Sequence, residues 1–136
     1  MTDISDLVRA LRERDARIIA LQLPAGLKRR AARIAEALSG QGFSVIISGD
    51  PCYGACDLAL ELLGYADVLV QFGHTPLVSH PDVIHVPFRV DFDPSVVRAA
   101  LPLLNGKAIG IITTSQHTHM LPAIAEVLRS EGFEPV

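Results

Sequence analysis

The sequence predicts an α/β fold: a three-layer sandwich with a mainly parallel sheet, followed by the start of a second related α/β domain. Continuous apolar runs of strand length, such as FSVIIS and DVLVQF, alternate with amphipathic stretches of helical period. A strand that is apolar on both sides belongs in a sheet covered on both faces. The residues of unusual chemistry fall just after the strands, where loops converge at the carboxyl edge of a parallel sheet.

Leu7, Val8 and Leu11 mark one side of a helix expected over residues 5–14, and RIIALQL supplies the first strand, 17–23. A helix from about 27 to 39 ends at Gly40 and Gly42, since glycine favours the position just past a helix. Strand 43–48 leads into the loop GDPCYGACDL, which opens onto a helix expected from about 56 to 63. Strands 67–72 and 83–88 follow, the first leading into GHTPL and the second into a loop with Asp91 and Asp93. Pro94 suits the first turn of a helix running to about 104, and Asn105–Gly106 reads as a turn. KAIGIIT then begins a strand, TSQHTH is its loop, and 121–130 is its helix. The closing GFEPV resembles GFSVI at 42–46, where a helix hands over to a strand, and hints at an internal repeat. The domains expected are 1–105, and 106–136 as the first βα unit of a second, truncated one.

At 136 residues the chain is long enough to bury a core without disulfides. MTDISDLVRALRERD lacks the apolar core of a signal peptide, and no window reaches membrane-spanning length, so a soluble, cytoplasmic protein is expected. In a reducing compartment paired cysteines are free, metal-bound or redox-active more often than bridged. Net charge is −3, and the basic residues gather on one stretch, Lys28, Arg29, Arg30 and Arg33, which argues against a dedicated nucleic-acid surface.

Four loops collect the chemistry on one edge. LQLPAGLK carries Lys28, SGDPCYGACD carries Cys52 and Cys56, QFGHTP carries His74 and Thr75, and TTSQHTH carries Gln116, His117 and His119. Cys56 is expected to open a helix, whose N-terminal dipole favours the thiolate that binds metal or attacks. The alternative is that both cysteines are small buried apolar residues. Two cysteines cannot complete a four-thiolate site; Cys52 with His74 or His117 could close a zinc site, although the spacing does not require it. PAGLK lacks the phosphate-loop pattern and reads as a tight turn. Asp91 and Asp93 suit helix capping, and His85, inside a strand, suits packing.

LQLPAGLK, IISGDPCYGACDLA, ADVLVQFGHTPL and IGIITTSQH together resemble the N-terminal region of the archaeal 2-(3-amino-3-carboxypropyl)histidine synthases of diphthamide biosynthesis. The resemblance covers nearly the whole chain. It implies three related α/β domains, each giving one cysteine to a [4Fe-4S] cluster, with the YGAC cysteine mapping to Cys56. It also implies S-adenosylmethionine as co-substrate, cleaved to a 3-amino-3-carboxypropyl radical that is added to a histidine of translation elongation factor 2. A homodimer is implied for the full-length archaeal enzyme. By position, His74, Thr75 and Gln116 are candidates to line the S-adenosylmethionine pocket, while Cys52 receives no ligand role. Ala25 stands where the family's loop carries an acidic residue, which puts any role of that loop in doubt. The second and third cysteine-bearing regions are absent, so the segment alone is expected to be inactive. The competing readings are a non-catalytic scaffold or partner subunit, and a quinolinate synthase-like iron–sulfur enzyme.

Overall fold

The computed structural model describes residues 4–136, which divide into two compact units, one up to Phe88 and the other from Arg89 to Val136. In the first unit, helix α1 (Ser5–Arg12) precedes strand β1 (Ile18–Gln22). A 3₁₀ segment, Ala25–Arg30, runs into helix α2 (Ala31–Ser39) and on to strand β2 (Ser44–Ile47). A second 3₁₀ segment, Leu60–Gly64, precedes strands β3 (Val68–Phe72) and β4 (Val83–Val86). All four strands are parallel, in the order β2-β1-β3-β4.

Strand alternation divides the core into two layers. Ile19, Leu21, Val68, Val70 and Phe72 face α1 and α2, where Leu7, Val8, Leu11 and Leu38 close over them. Ala20, Leu69 and Val83 point to the other face, against Leu58, Leu62 and Leu63. The double coverage explains why the central strands read as unbroken apolar runs: every residue of β3 is buried. The first helix is likewise legible, with Leu7, Val8 and Leu11 all buried.

The helix expected from 56 to 63 does not form. Residues 55 and 56 lie in a turn, and only Leu60–Gly64 coils, as a 3₁₀ segment. The cause is side-chain competition for the backbone. The Gln22 amide donates to the Asp57 carbonyl and accepts from Ala59 N–H, so the groups that would close the first helical turn are already engaged. Asp57 Oδ2 in turn accepts from the backbone N–H of Tyr53 and Gly54, at 2.9 and 3.2 Å.

In the second unit a 3₁₀ segment, Pro94–Leu103, replaces the expected α-helix and carries Pro102, which supplies no N–H near its end. It packs against helix α3 (Leu121–Ser130), and Arg98 pairs with Glu131 at 2.6 Å. Another 3₁₀ segment, Ser115–Met120, leads into α3. Strand β5 is short, Ala108–Ile109, and pairs in parallel with β6 (Glu134–Pro135), so the GFEPV hand-over does produce a strand. Asp93 caps the 3₁₀ segment as expected, accepting from Ser95 N–H and Ser95 Oγ–H; these bonds hold its carboxyl below the usual range. No helix among the described residues is long and apolar enough to cross a membrane.

Candidate functional site

The chain passes from β1 outward to β2, then reverses to β3 on the other side of β1, which creates a topological switch point between the carboxyl ends of β1 and β3. There the β1 and β3 loops touch. Gly73 has φ +86°, and a Cβ built on it would meet Pro24 Cγ at 3.3 Å and Leu27 Cδ1 at 3.4 Å.

The cysteine loop crosses this edge from β2 and is anchored along its length. Lys28 Nζ donates to the carbonyls of Gly49 and Asp50, at 2.5 and 2.6 Å. That use of Lys28 makes PAGLK a turn that ties two loops together. Gln22, at the end of β1, grips Asp57 and Ala59 on the far side of Cys56. Gln71 of β3, the register partner of Gln22, reaches Cys52 Sγ at 3.7 Å and His74 Nδ1 at 2.6 Å.

The two cysteines are therefore placed in different surroundings. Cys52 is 2% exposed, with Sγ 3.8 Å from the Gly54 carbonyl and 3.7 Å from His74 Nδ1. Cys56 is exposed, and its thiol contacts Asp57 Oδ1 only at 3.8 Å. Because Cys56 sits in a turn, no helix dipole acts on it, contrary to the expectation from sequence. Access and loop anchoring distinguish it instead. Iodoacetamide should alkylate Cys56 readily and Cys52 at least about tenfold more slowly, since Cys52 requires local opening. Peptide mass spectrometry would show this, and equal rates would contradict the burial difference.

His74 is half-buried and joins Cys52 and Gln71; Thr75 beside it is exposed. Gln116 belongs to the other unit, where its carbonyl accepts from Val90 N–H. His117 in that unit has Nδ1 3.0 Å from the Val90 carbonyl, and His119 Nε2 lies 2.7 Å from Asp91 Oδ1. Among the described residues no group of three or more His, Cys, Asp and Glu side chains could hold a metal ion. Cys56 fits as a single exposed thiolate donor, and a cluster here would need ligands from outside these residues.

His85 of β4, the register partner of Gln71, packs as expected, with both ring nitrogens buried and without a hydrogen-bond partner. Burial pushes its imidazole below the ordinary value of 6.5. A folded value below the unfolded one means that stability is complete above pH 6.5 and is lost as pH falls through the folded value. His85→Leu should flatten the melting temperature of the chain against pH in that window, as read by circular dichroism; an unchanged slope would contradict the account. Asp67 acts in a separate window. Its carboxylate is held below the usual value of 3.8 by the N–H groups of Ile18 and Arg17, so its contribution is lost only in stronger acid.

The buried glutamines were not singled out from sequence, yet a signal exists. IIALQ ends on a polar residue and VLVQF carries one just before its end, and the register places both on the same face. Two such residues at partnered positions mark a polar edge under an apolar sheet.

Residues 23–136 match the family described as "Putative diphthamide synthesis protein". The chain is 33% identical to 2-(3-amino-3-carboxypropyl)histidine synthase from Pyrococcus horikoshii, over 96% of this chain and 40% of that protein. It is 30% identical to subunit 1 of the human synthase of the same name, over 95% of this chain and 32% of the relative. A crystal structure of Pyrococcus horikoshii Dph2 with a 4Fe-4S cluster superposes with a TM-score of 0.82 at 31% identity, covering 96% of this chain and 41% of that one. The chain thus spans less than half the length of these relatives. With the family's region matched over most of its length, and the fold shared with the cluster-bearing enzyme, the chain belongs to the diphthamide synthesis protein family.

Proposed function

We propose that this chain is the cysteine-bearing N-terminal segment of a transferase for the first step of diphthamide biosynthesis, with Cys56 as one thiolate ligand of a [4Fe-4S] cluster. The substrates are S-adenosylmethionine, which gives up its 3-amino-3-carboxypropyl group, and a histidine of translation elongation factor 2, which receives it. One observation carries the reading: the exposed Cys56 thiol lies on a loop anchored by Lys28 and Gln22 at the carboxyl edge of the sheet. A cluster ligand must be accessible yet held in place, and Cys52, buried and enclosed, is not.

When bound, the cluster would supply an electron and an open iron position for cleavage of the sulfur–carbon bond. The chain's own residues shape the approach. The β3 loop brings His74 and Thr75 to the edge that carries Cys56, and Gln116 follows β5 at the corresponding place in the second unit. We assign His74 and Thr75 to the S-adenosylmethionine pocket. The βα unit from Lys107 opens a second related domain, whose α3–β6 hand-over repeats that of α2 and β2. Cytoplasmic location and a homodimer of the full-length enzyme belong to the same reading.

The test is anaerobic reconstitution of the full-length gene product with iron and sulfide, followed by dithionite, S-adenosylmethionine and elongation factor 2. A mass increase of one aminocarboxypropyl group on a single histidine is expected. Cleavage of S-adenosylmethionine without transfer to elongation factor 2 would overturn the assigned acceptor, and no cleavage would overturn the transferase reading.

A further inference from the structure

β1 and β3 are apolar except at Gln22, the last residue of β1, and Gln71, the next-to-last of β3, and both side chains are buried, 2% and 0% exposed. The work of Gln22 is plain from its bonds to the Asp57 and Ala59 backbone. Gln71 bonds no backbone group; its amide nitrogen lies 2.6 Å from His74 Nδ1 and 3.7 Å from Cys52 Sγ. We infer that Gln71 is a positioning residue that fixes the tautomer of His74, leaving the ring proton on Nε2. This rests on the reading of His74 as a pocket residue and says what that residue offers.

The orientation of the amide follows from counting donors and acceptors. The amino end carries two hydrogens, and two acceptors face it: the Nδ1 lone pair and the Cys52 sulfur, whose own S–H is directed to the Gly54 carbonyl at 3.8 Å. In that orientation the one group left over is Gln71 Oε1, which is buried without a partner. With the amide reversed, its oxygen could accept from a proton on Nδ1. The amino group would then occupy the place where Oε1 finds nothing, with two buried hydrogens unpaired. An under-satisfied carbonyl is the smaller loss, because orphaned buried N–H groups are the rarer and costlier case.

Nδ1 of His74 is therefore an acceptor, and the neutral ring carries its proton on Nε2. His74 then presents a donor at the strand-end edge and selects a hydrogen-bond acceptor, such as a carboxylate, on the small-molecule substrate. Cys52 gains a role without being a ligand. Its sulfur takes the second amide hydrogen and so helps to hold Gln71 in register with His74.

The tautomer can be read with no cluster or substrate present, by long-range ¹H–¹⁵N correlation on the ¹⁵N-labelled chain. In the unmodified chain His74 should show an unprotonated Nδ1 and a protonated Nε2. Gln71→Leu, checked for an unchanged amide dispersion, should give the averaged signature of two exchanging tautomers. A proton on Nδ1 in the unmodified chain, or a folded Gln71→Leu chain that keeps the original signature, would overturn the proposal. Should Gln71→Leu fail to fold, the unmodified spectrum still decides. In the full-length enzyme Gln71→Leu should raise the KM for S-adenosylmethionine about tenfold with a smaller change in kcat, as for partners that orient a contacting group. An unchanged KM beside an altered tautomer would overturn the consequence assigned to His74. Because the ring signature needs no turnover, its failure is distinguishable from failure of the transferase reading.

Discussion

Cys56→Ala is expected to reduce aminocarboxypropyl transfer by the full-length enzyme to background while shifting the melting temperature of the metal-free protein by no more than about 2 °C. The Cys56 side chain is exposed and makes one weak thiol contact, to Asp57 Oδ1, so its removal leaves no cavity and no orphaned group. Its loop stays fixed through Lys28, Gln22 and Asp57, none of which depends on the sulfur. Loss of activity with an intact fold is the signature of a chemical role. Cys52→Ala should behave in the opposite sense. It opens a small void and deprives Gln71 of an acceptor, at a stability cost of about 1–2 kcal/mol, while transfer is retained in part. Calorimetry of both metal-free variants beside their transfer rates checks the contrast.

Gly73→Ala should destabilise the chain by about 2–4 kcal/mol, adding the penalty of a left-handed backbone to that of crowding a packed contact. Gly73 has φ +86°, and its missing Cβ is the space in which Pro24 and Leu27 sit, at 3.3 and 3.4 Å from where that atom would lie. The same contact joins the loops after β1 and β3. The substitution should therefore also loosen the edge on which His74 is carried. Gly26→Ala is the control, since nothing lies within 4 Å of its built Cβ and its φ is not positive; a change within about 0.5 kcal/mol is expected there. Urea unfolding of both variants separates the outcomes. A Gly73→Ala cost as small as that of Gly26→Ala would show that the switch point tolerates a side chain.

The sheet was legible because its strands are apolar on both sides and its first helix is not. IIALQ, SVII, VLVQF and VIHV are bounded by loops in the sequence much as in the structure, and the buried side of α1 is the stripe of Leu7, Val8 and Leu11. The segment after Cys56 reads as a helix because DLALELL carries leucines at helical spacing, and periodicity does not register a buried glutamine 35 positions away that captures its first turn. The same blindness hid Gln71. Its significance lies in pairing with Gln22 across the sheet and in reaching Cys52 and His74, relations that exist only after the strands are in register. In the sequence, Cys56 stands out through family resemblance and an expected helix dipole. The dipole argument fails, and the exposure and anchoring of the loop take its place.

The most direct test of the account compares iron and sulfide content, with the electron paramagnetic resonance of the dithionite-reduced state, in full-length Cys52→Ala and Cys56→Ala proteins reconstituted side by side. The account predicts a four-iron signal and near-native iron content in Cys52→Ala, and neither in Cys56→Ala. A Cys56→Ala protein that retains the cluster, or a Cys52→Ala protein that loses it with the fold intact, would contradict it.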